Sequence, residues 1–236
     1  NVGCPSKAVQ KGSFGACLMQ DKTLVKNCLE AMHINKDIEV SIKCRIGLGK
    51  NFNYEYFEEF IDEILKSGIK VVYVHARNAI LTGISPRGNR TIPSLNYDFV
   101  SKIKLKFPNI TFILNGGIDS IEKALGLSKL HDGVMVGRLI QNNPFCLKNI
   151  DKLFYDQPNN YIISDNTIKE YFNFIKPKIG KDSIYRLLSP LLNVFFGIPD
   201  GKKFKIDIHS NMKQHNLDKL EKIFMNFVKE KKIIIN

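Results

Sequence analysis

Cys4 has the clearest chemical context in this chain, because it stands between Gly3 and Pro5 and ahead of a glycine-punctuated loop, Lys11-Gly12-Ser13-Phe14-Gly15-Ala16. Gly3 and Pro5 fix a tight turn. A thiol held out on such a turn can donate a proton or act as a nucleophile, according to its pKa. Taken alone, the same cysteine reads more readily as a small core residue. Lys43 lies in Val40-Ser41-Ile42-Lys43-Cys44-Arg45-Ile46-Gly47, where strand alternation puts Lys43 and Arg45 on one face and Ile42 and Cys44 on the other. On an inward face that lysine must meet a ligand or an anion, whereas on an outward face it snorkels to solvent. His75 follows Val71-Val72-Tyr73-Val74 and either hydrogen-bonds a ligand or caps a turn. Asn115-Gly116-Gly117 and Gly137-Arg138 combine glycine N–H groups with a cation, a set that suits a phosphate. The first of them also reads as a simple turn. No G-x-G-x-x-G run occurs, so a mononucleotide is the expected ligand in preference to a dinucleotide. The basic segment Ser85-Pro86-Arg87-Gly88-Asn89-Arg90, within a loop at 81–92, either touches an anionic substrate or sits in solvent.

These residues need elements to hold them. Short β-branched runs at 38–45, 71–75, 111–114 and 133–136 alternate with amphipathic stretches at 24–32, 54–67, 97–106 and 121–127. That is the pattern of parallel strands joined by helices. Asp119-Ser120 supplies a cap for the last of those helices. Residues 1–5 have the look of a strand's exit. Polar or glycine-rich residues end every consecutive strand, which favours a (β/α)8 TIM barrel, whose site is built at the C-terminal strand ends, over a doubly wound sheet with one switch point. The fold class expected is therefore α/β, with residues 1–150 as the C-terminal part of a barrel lacking about its first three strands, since a whole barrel takes ~250 residues. Such an open segment is expected to expose edge strands and not to fold stably alone. After a linker at 154–160, residues 160–236 read as a small all-α domain, with helical periodicity at 166–175, 183–196 and 217–232.

Charge and cysteine usage bound the partners. A formal net charge of +12 over 236 residues favours a polyanionic partner, although the Lys-, Asn- and Ile-rich bias of AT-rich coding produces the same balance. The five cysteines are scattered, odd in number and free of any C-x-x-C pair, which argues for a reducing compartment and against a disulfide framework or a structural zinc site. No apolar run approaches the ~20 residues that span a bilayer. The expectation is a cytoplasmic monomer with no membrane and no metal.

Taken in order, N-V-G-C-P-S, G-x-F-G-A-C-L-M, K-C-R-I-G, V-H-A-R, S-P-R-x-N-R, N-G-G-I and D-G-V-M-V-G-R resemble the tRNA-dihydrouridine synthase family. Each stretch is weak alone, but their order and spacing across 1–150 are specific, and the likeness continues through Phe196-Gly197-Ile198-Pro199. The loop and tail look most like the bacterial subgroup acting near position 20 of the tRNA D-loop. The resemblance implies FMN as cofactor, NADPH as electron donor and tRNA as partner. It implies hydride transfer from flavin to uracil C6 with Cys4 as proton donor to C5. Lys43 and His75 would contact FMN, and Asn115, Gly116, Gly117, Gly137 and Arg138 would hold its phosphate. Asn1 would sit beside a base flipped out of the tRNA, Arg87 and Arg90 would touch tRNA, and so would Lys202, Lys205 and, less firmly, Arg186 in the helical tail. Ile206 and Asp207 depart from the basic run expected there. Two alternatives stay open: an FMN barrel oxidoreductase of the dihydroorotate or dihydropyrimidine dehydrogenase kind acting on a free pyrimidine, and a non-catalytic RNA-binding protein. The basic loop and tail weigh against the first, and the joint presence of Cys4, Lys43 and His75 weighs against the second.

Overall fold

Alternation of β-branched and polar residues becomes, in a computed structural model that describes residues 1–34, 37–158, 165–213 and 216–231, a parallel four-stranded sheet. The strands are β1 (Ser41–Arg45), β2 (Val71–His75), β3 (Thr111–Asn115) and β4 (Gly133–Met135), side by side in chain order without reversal. Their helices are α1 (Lys7–Lys11), α2 (Lys22–Met32), α3 (Tyr54–Leu65), α4 (Tyr97–Lys106) and α5 (Ile121–Ser128). The chain divides into two compact units, Asn1–Val136 and Gly137–Asn236.

In the first unit, Ile42, Cys44, Val72, Val74, Phe112 and Leu114 are buried on one side of the sheet. They share a core with Val25 and Leu29 of α2, Phe57, Phe60, Ile61 and Ile64 of α3, and Val100 and Ile103 of α4. Each of these helices starts where a short side chain meets an orphan backbone N–H: Asp21 at Leu24, Asn53 at Tyr56, Asn96 at Phe99, and Ser120 at Lys123 for α5. Sequence and structure agree closely here. β1 starts later than expected, at Ser41, because Ile38 is 59% exposed and only Val40 turns inward. The other sheet face carries Lys43, Arg45, Tyr73, His75, Ile113, Asn115 and Met135, in register across all four strands. The candidate site residues Lys43, His75 and Asn115 stand on that face.

The second unit is helical: α6 (Arg138–Asn142), α7 (Ile150–Tyr155), α8 (Asp165–Ile175), α9 (Ile184–Leu192), α10 (Gly201–Met212) and α11 (Leu217–Glu230). Asn159 and Asn160 of the expected linker, and Lys232 of the last expected helix, lie outside the described residues. Phe172, Phe195, Phe204, Phe224 and Phe227 interlock at its centre, with the Phe204 ring 4.8 Å from Phe224 and 4.5 Å from Phe227. Offset and edge-on rings at such spacings add to their area burial. α9 stops at Leu192, short of residue 196, and it contains Pro190. The proline leaves the Arg186 carbonyl without its helical donor, and Ser189 Oγ donates to that carbonyl at 3.0 Å instead. α10 is the element that periodicity did not reveal. Gly201 and two lysines open it, and its buried stripe is sparse, Phe204, Ile208 and Met212 at every fourth position. Gly201 is required by packing, since a Cβ there would lie 2.8 Å from the Phe195 carbonyl oxygen. Among the described residues no helix is long and apolar enough to cross a membrane.

Candidate active site

At the C-terminal end of the sheet, Arg45, His75, Asn115 and Met135 occupy one register row. Lys43 lies two residues back on the same face, half-buried, and its Nζ donates to Asn115 Oδ1 at 3.0 Å. Asn115 Nδ2 in turn donates to the Met135 carbonyl at 2.8 Å. This polar ladder runs from β1 across to β4 on the sheet face opposite the helix-packed core. Burial, more than any neighbouring charge, holds the Lys43 pKa below the usual lysine value.

His75 is buried at the end of β2, and Gly116 packs directly on its ring. Gly116 and Gly117 adopt φ of +114° and +63°, so the chain turns sharply after β3 and brings backbone close to the imidazole. Tyr97 Oη donates to the Gly116 carbonyl at 2.7 Å and Lys123 Nζ to the Gly117 carbonyl at 2.6 Å. The turn is therefore held from α4 and from α5. A Tyr97→Phe substitution removes one of those bonds without changing shape. It is expected to lower stability by about 1 kcal/mol, read as a shift of the urea midpoint at constant slope.

Cys4 sits on an extended segment beside β1: Val2 N–H donates to the Lys43 carbonyl at 2.9 Å. Ala16 N–H donates to the Cys4 carbonyl at 2.8 Å, and Gly15, with φ of +74°, makes room for that approach. A Cβ on Gly15 would stand 2.7 Å from the Cys4 oxygen. Cys4 is a partly exposed residue, while Cys44 is buried in the core, where desolvation pushes its thiol pKa up to about 12. Position thus separates a presented thiol from an inert one. Asn1 is exposed next to it, its Oδ1 accepting from Gly3 N–H at 3.1 Å.

The loop after β2 is anchored rather than loose. Asn89, 0% exposed, exchanges two 2.8 Å bonds with the backbone of Ile80, accepting from its N–H and donating to its carbonyl. Arg77 donates to the carbonyls of Thr91 and Pro93. Arg87 and Arg90 are exposed on this braced frame.

The structure thus brings Cys4, Lys43, His75, Asn115, Gly116 and Gly117 to one edge of the first unit. Gly137 and Arg138 follow β4 and open α6 in the second unit, both exposed. Lys202 is exposed on α10, whereas Lys205 donates to Asn193 Oδ1 at 2.7 Å and is already engaged within its own unit. Sequence reasoning had placed Arg45 on the Lys43 face without giving it a role. Asn89, Gln10 and Tyr97 were not singled out, since their partners are remote or backbone groups that no spacing reveals.

A family model described as dihydrouridine synthase matches residues 1–229. The chain is 34% identical over 206 residues to a tRNA-dihydrouridine(20/20a) synthase of Xanthomonas axonopodis pv. citri, covering 87% of this chain and 61% of that protein. It is 36% identical over 217 residues to the protein of that name from Vibrio cholerae, covering 89% and 65%, and 38% identical over 181 residues to that of Pasteurella multocida, covering 77% and 55%. The chain therefore spans about three-fifths of the length of the curated relatives it matches.

Proposed function

The chain belongs to the dihydrouridine synthase family, and from that premise we propose that it serves a flavin-dependent tRNA-dihydrouridine synthase, reducing the 5,6 double bond of a D-loop uridine. In this reading residues 1–150 belong to an FMN-binding (β/α)8 barrel and residues 160–236 to a helical tRNA-binding domain. NADPH is the electron donor, and the cytoplasm is the setting in which the protein meets tRNA. The observation that carries the proposal is the row of strand ends: Lys43, His75 and the Gly116-Gly117 turn face the same side, with Cys4 braced alongside through Val2.

The residues present fit FMN. A half-buried ammonium, an imidazole and a glycine turn with backbone close to that imidazole form a donor set for an anionic, planar ligand. Lys43 and His75 would hold the ring, while Asn115, Gly116 and Gly117, with Gly137 and Arg138 carried over from the family pattern, would hold the phosphate. Bound FMN would supply the hydride to uracil C6. The protein's own part is the other half of the addition: the Cys4 thiol gives its proton to C5, and Asn1 sits beside the base. The ladder through Asn115 restricts the Lys43 amine to one position, so its charge is in place before the substrate arrives. A base inside folded tRNA has to be flipped out to meet this edge.

Arg87 and Arg90 are assigned to the tRNA backbone on the strength of their exposure on a braced loop. Changing both to alanine is expected to weaken tRNA binding and lower the slope of log affinity against log salt by about two, close to one per phosphate contact. An unaltered slope would exclude phosphate contact. The reaction itself is tested by mass spectrometry of D-loop fragments from cells lacking the gene. One nucleotide lighter by two hydrogens is expected, and an unchanged fragment pattern would overturn the proposal.

A further inference from the structure

Arg45 is 3% exposed, yet its guanidinium is shared among three carbonyl oxygens from separate segments. Its Nε donates to Gly3 at 3.0 Å, and its Nη1 donates to Asn78 at 3.1 Å and to Asn89 at 2.8 Å. The first belongs to the peptide that joins Gly3 to Cys4. The second lies just past His75, and the third is in the basic loop. Gln10 makes a matching bridge from the other side of the cysteine, its Nε2 donating to the Pro5 carbonyl at 2.9 Å and to the Leu81 carbonyl at 3.0 Å. Two side chains thus each tie the Cys4 turn to the loop bearing Arg87 and Arg90.

A buried guanidinium is costly to desolvate, and carbonyl dipoles recover only part of that. Burial, then Arg77, press the Arg45 pKa down to about 10, with Cys4 acting in the opposite direction and Arg90 adding to the depression. The group stays protonated at neutral pH, so the buried side chain that holds the Gly3 carbonyl is a cation. An apolar residue would serve packing better. What a planar five-donor fork adds is the simultaneous grip on three backbone segments that no single strand could align.

We propose that Arg45 and Gln10 are positioning residues that fix the Cys4 turn against the basic loop, so that the thiol and the tRNA-facing arginines keep one relative geometry. The proposal rests on the reading of Cys4 as the proton donor. A lysine at 45 keeps the charge but gathers its donors on one nitrogen, where Arg45 reaches Gly3 from Nε and Asn78 and Asn89 from Nη1. A leucine at 10 removes the second bridge from a partly exposed site.

The test uses protein from the complete natural reading frame, with Arg45→Lys and Gln10→Leu compared to the parent. Cys4 alkylation by iodoacetamide is followed at one pH by mass spectrometry of its peptide. Release of the turn is expected to speed alkylation at least several-fold in both variants. Turnover on tRNA is expected to fall about 10- to 100-fold in Arg45→Lys, with the KM for tRNA changed by less than about threefold, since misplacement of a reacting group by about an ångström has effects of that size. Alkylation within about twofold of the parent in both variants would overturn the proposal. A poorly folded Arg45→Lys leaves Gln10→Leu to decide it by the same criterion. If the parent makes no dihydrouridine, the functional reading fails while alkylation still reads whether the turn is held.

Discussion

Cys4→Ala is expected to retain bound flavin and to lose roughly two to four orders of magnitude in dihydrouridine formation, the range that general acids contribute. Cys4 is partly exposed at the edge where Lys43 and His75 stand, and its turn is fixed by bonds from Ala16 to the Cys4 carbonyl and from Arg45 to the Gly3 carbonyl. Removing Sγ therefore deletes the proposed proton source while leaving the frame intact. Flavin absorbance of the purified variant and single-turnover oxidation by tRNA measure the two effects separately. Cys28→Ala, on the exposed surface of α2, is the control and should turn over like the parent. Unchanged turnover in Cys4→Ala would remove the cysteine from the chemistry. Equal losses in both variants would show that cysteine substitution acts on folding.

Gly116→Ala is expected to be the most damaging single change to the frame. A Cβ there would stand 2.6 Å from His75 Cδ2 and 3.0 Å from its Nε2, at a φ of +114° that side-chain-bearing residues rarely adopt. Strain and overpacking each cost about 1–3 kcal/mol, so a loss of about 2–6 kcal/mol is expected. In a chain of this size each kcal/mol moves Tm by about 2–4 °C. The imidazole has to move or the turn has to open, and either disturbs the proposed cofactor edge, so flavin content should fall as well. Gly126→Ala is the contrast. Gly126 lies within α5 with open space around its Cα, and alanine should stabilise it by about 0.5–1 kcal/mol. A Gly116→Ala protein with parental Tm and flavin content would mean that His75 gives way freely.

How far the fold was readable follows from the range of each interaction. Helix α4 was legible to the residue, because the apolar residues of its amphipathic stretch, among them the buried Val100 and Ile103, lie within a few positions of one another. The strands were legible for the same reason: alternation is a property of adjacent residues. α10 was not, since a glycine start and a single apolar residue per turn leave little local signal, and its identity comes from the Phe204 ring meeting Phe195, Phe224 and Phe227. The candidate site divides in the same way. Cys4, Lys43, His75 and the Asn115-Gly116-Gly117 turn stood out because strand ends and turn residues mark them. The role of Lys205 could not be read, because its partner, Asn193, belongs to another helical segment.

By itself, then, the sequence determined which residues carry reactive groups, which faces of the strands they occupy, and the family that their order resembles. Only the tertiary structure decided which thiol is presented and which is sealed, that Lys43 is tethered to Asn115, and that one buried arginine joins segments 33 to 44 residues away. Periodicity and capping act over a few residues, whereas a guanidinium shared among three carbonyls exists only after the chain has folded back on itself.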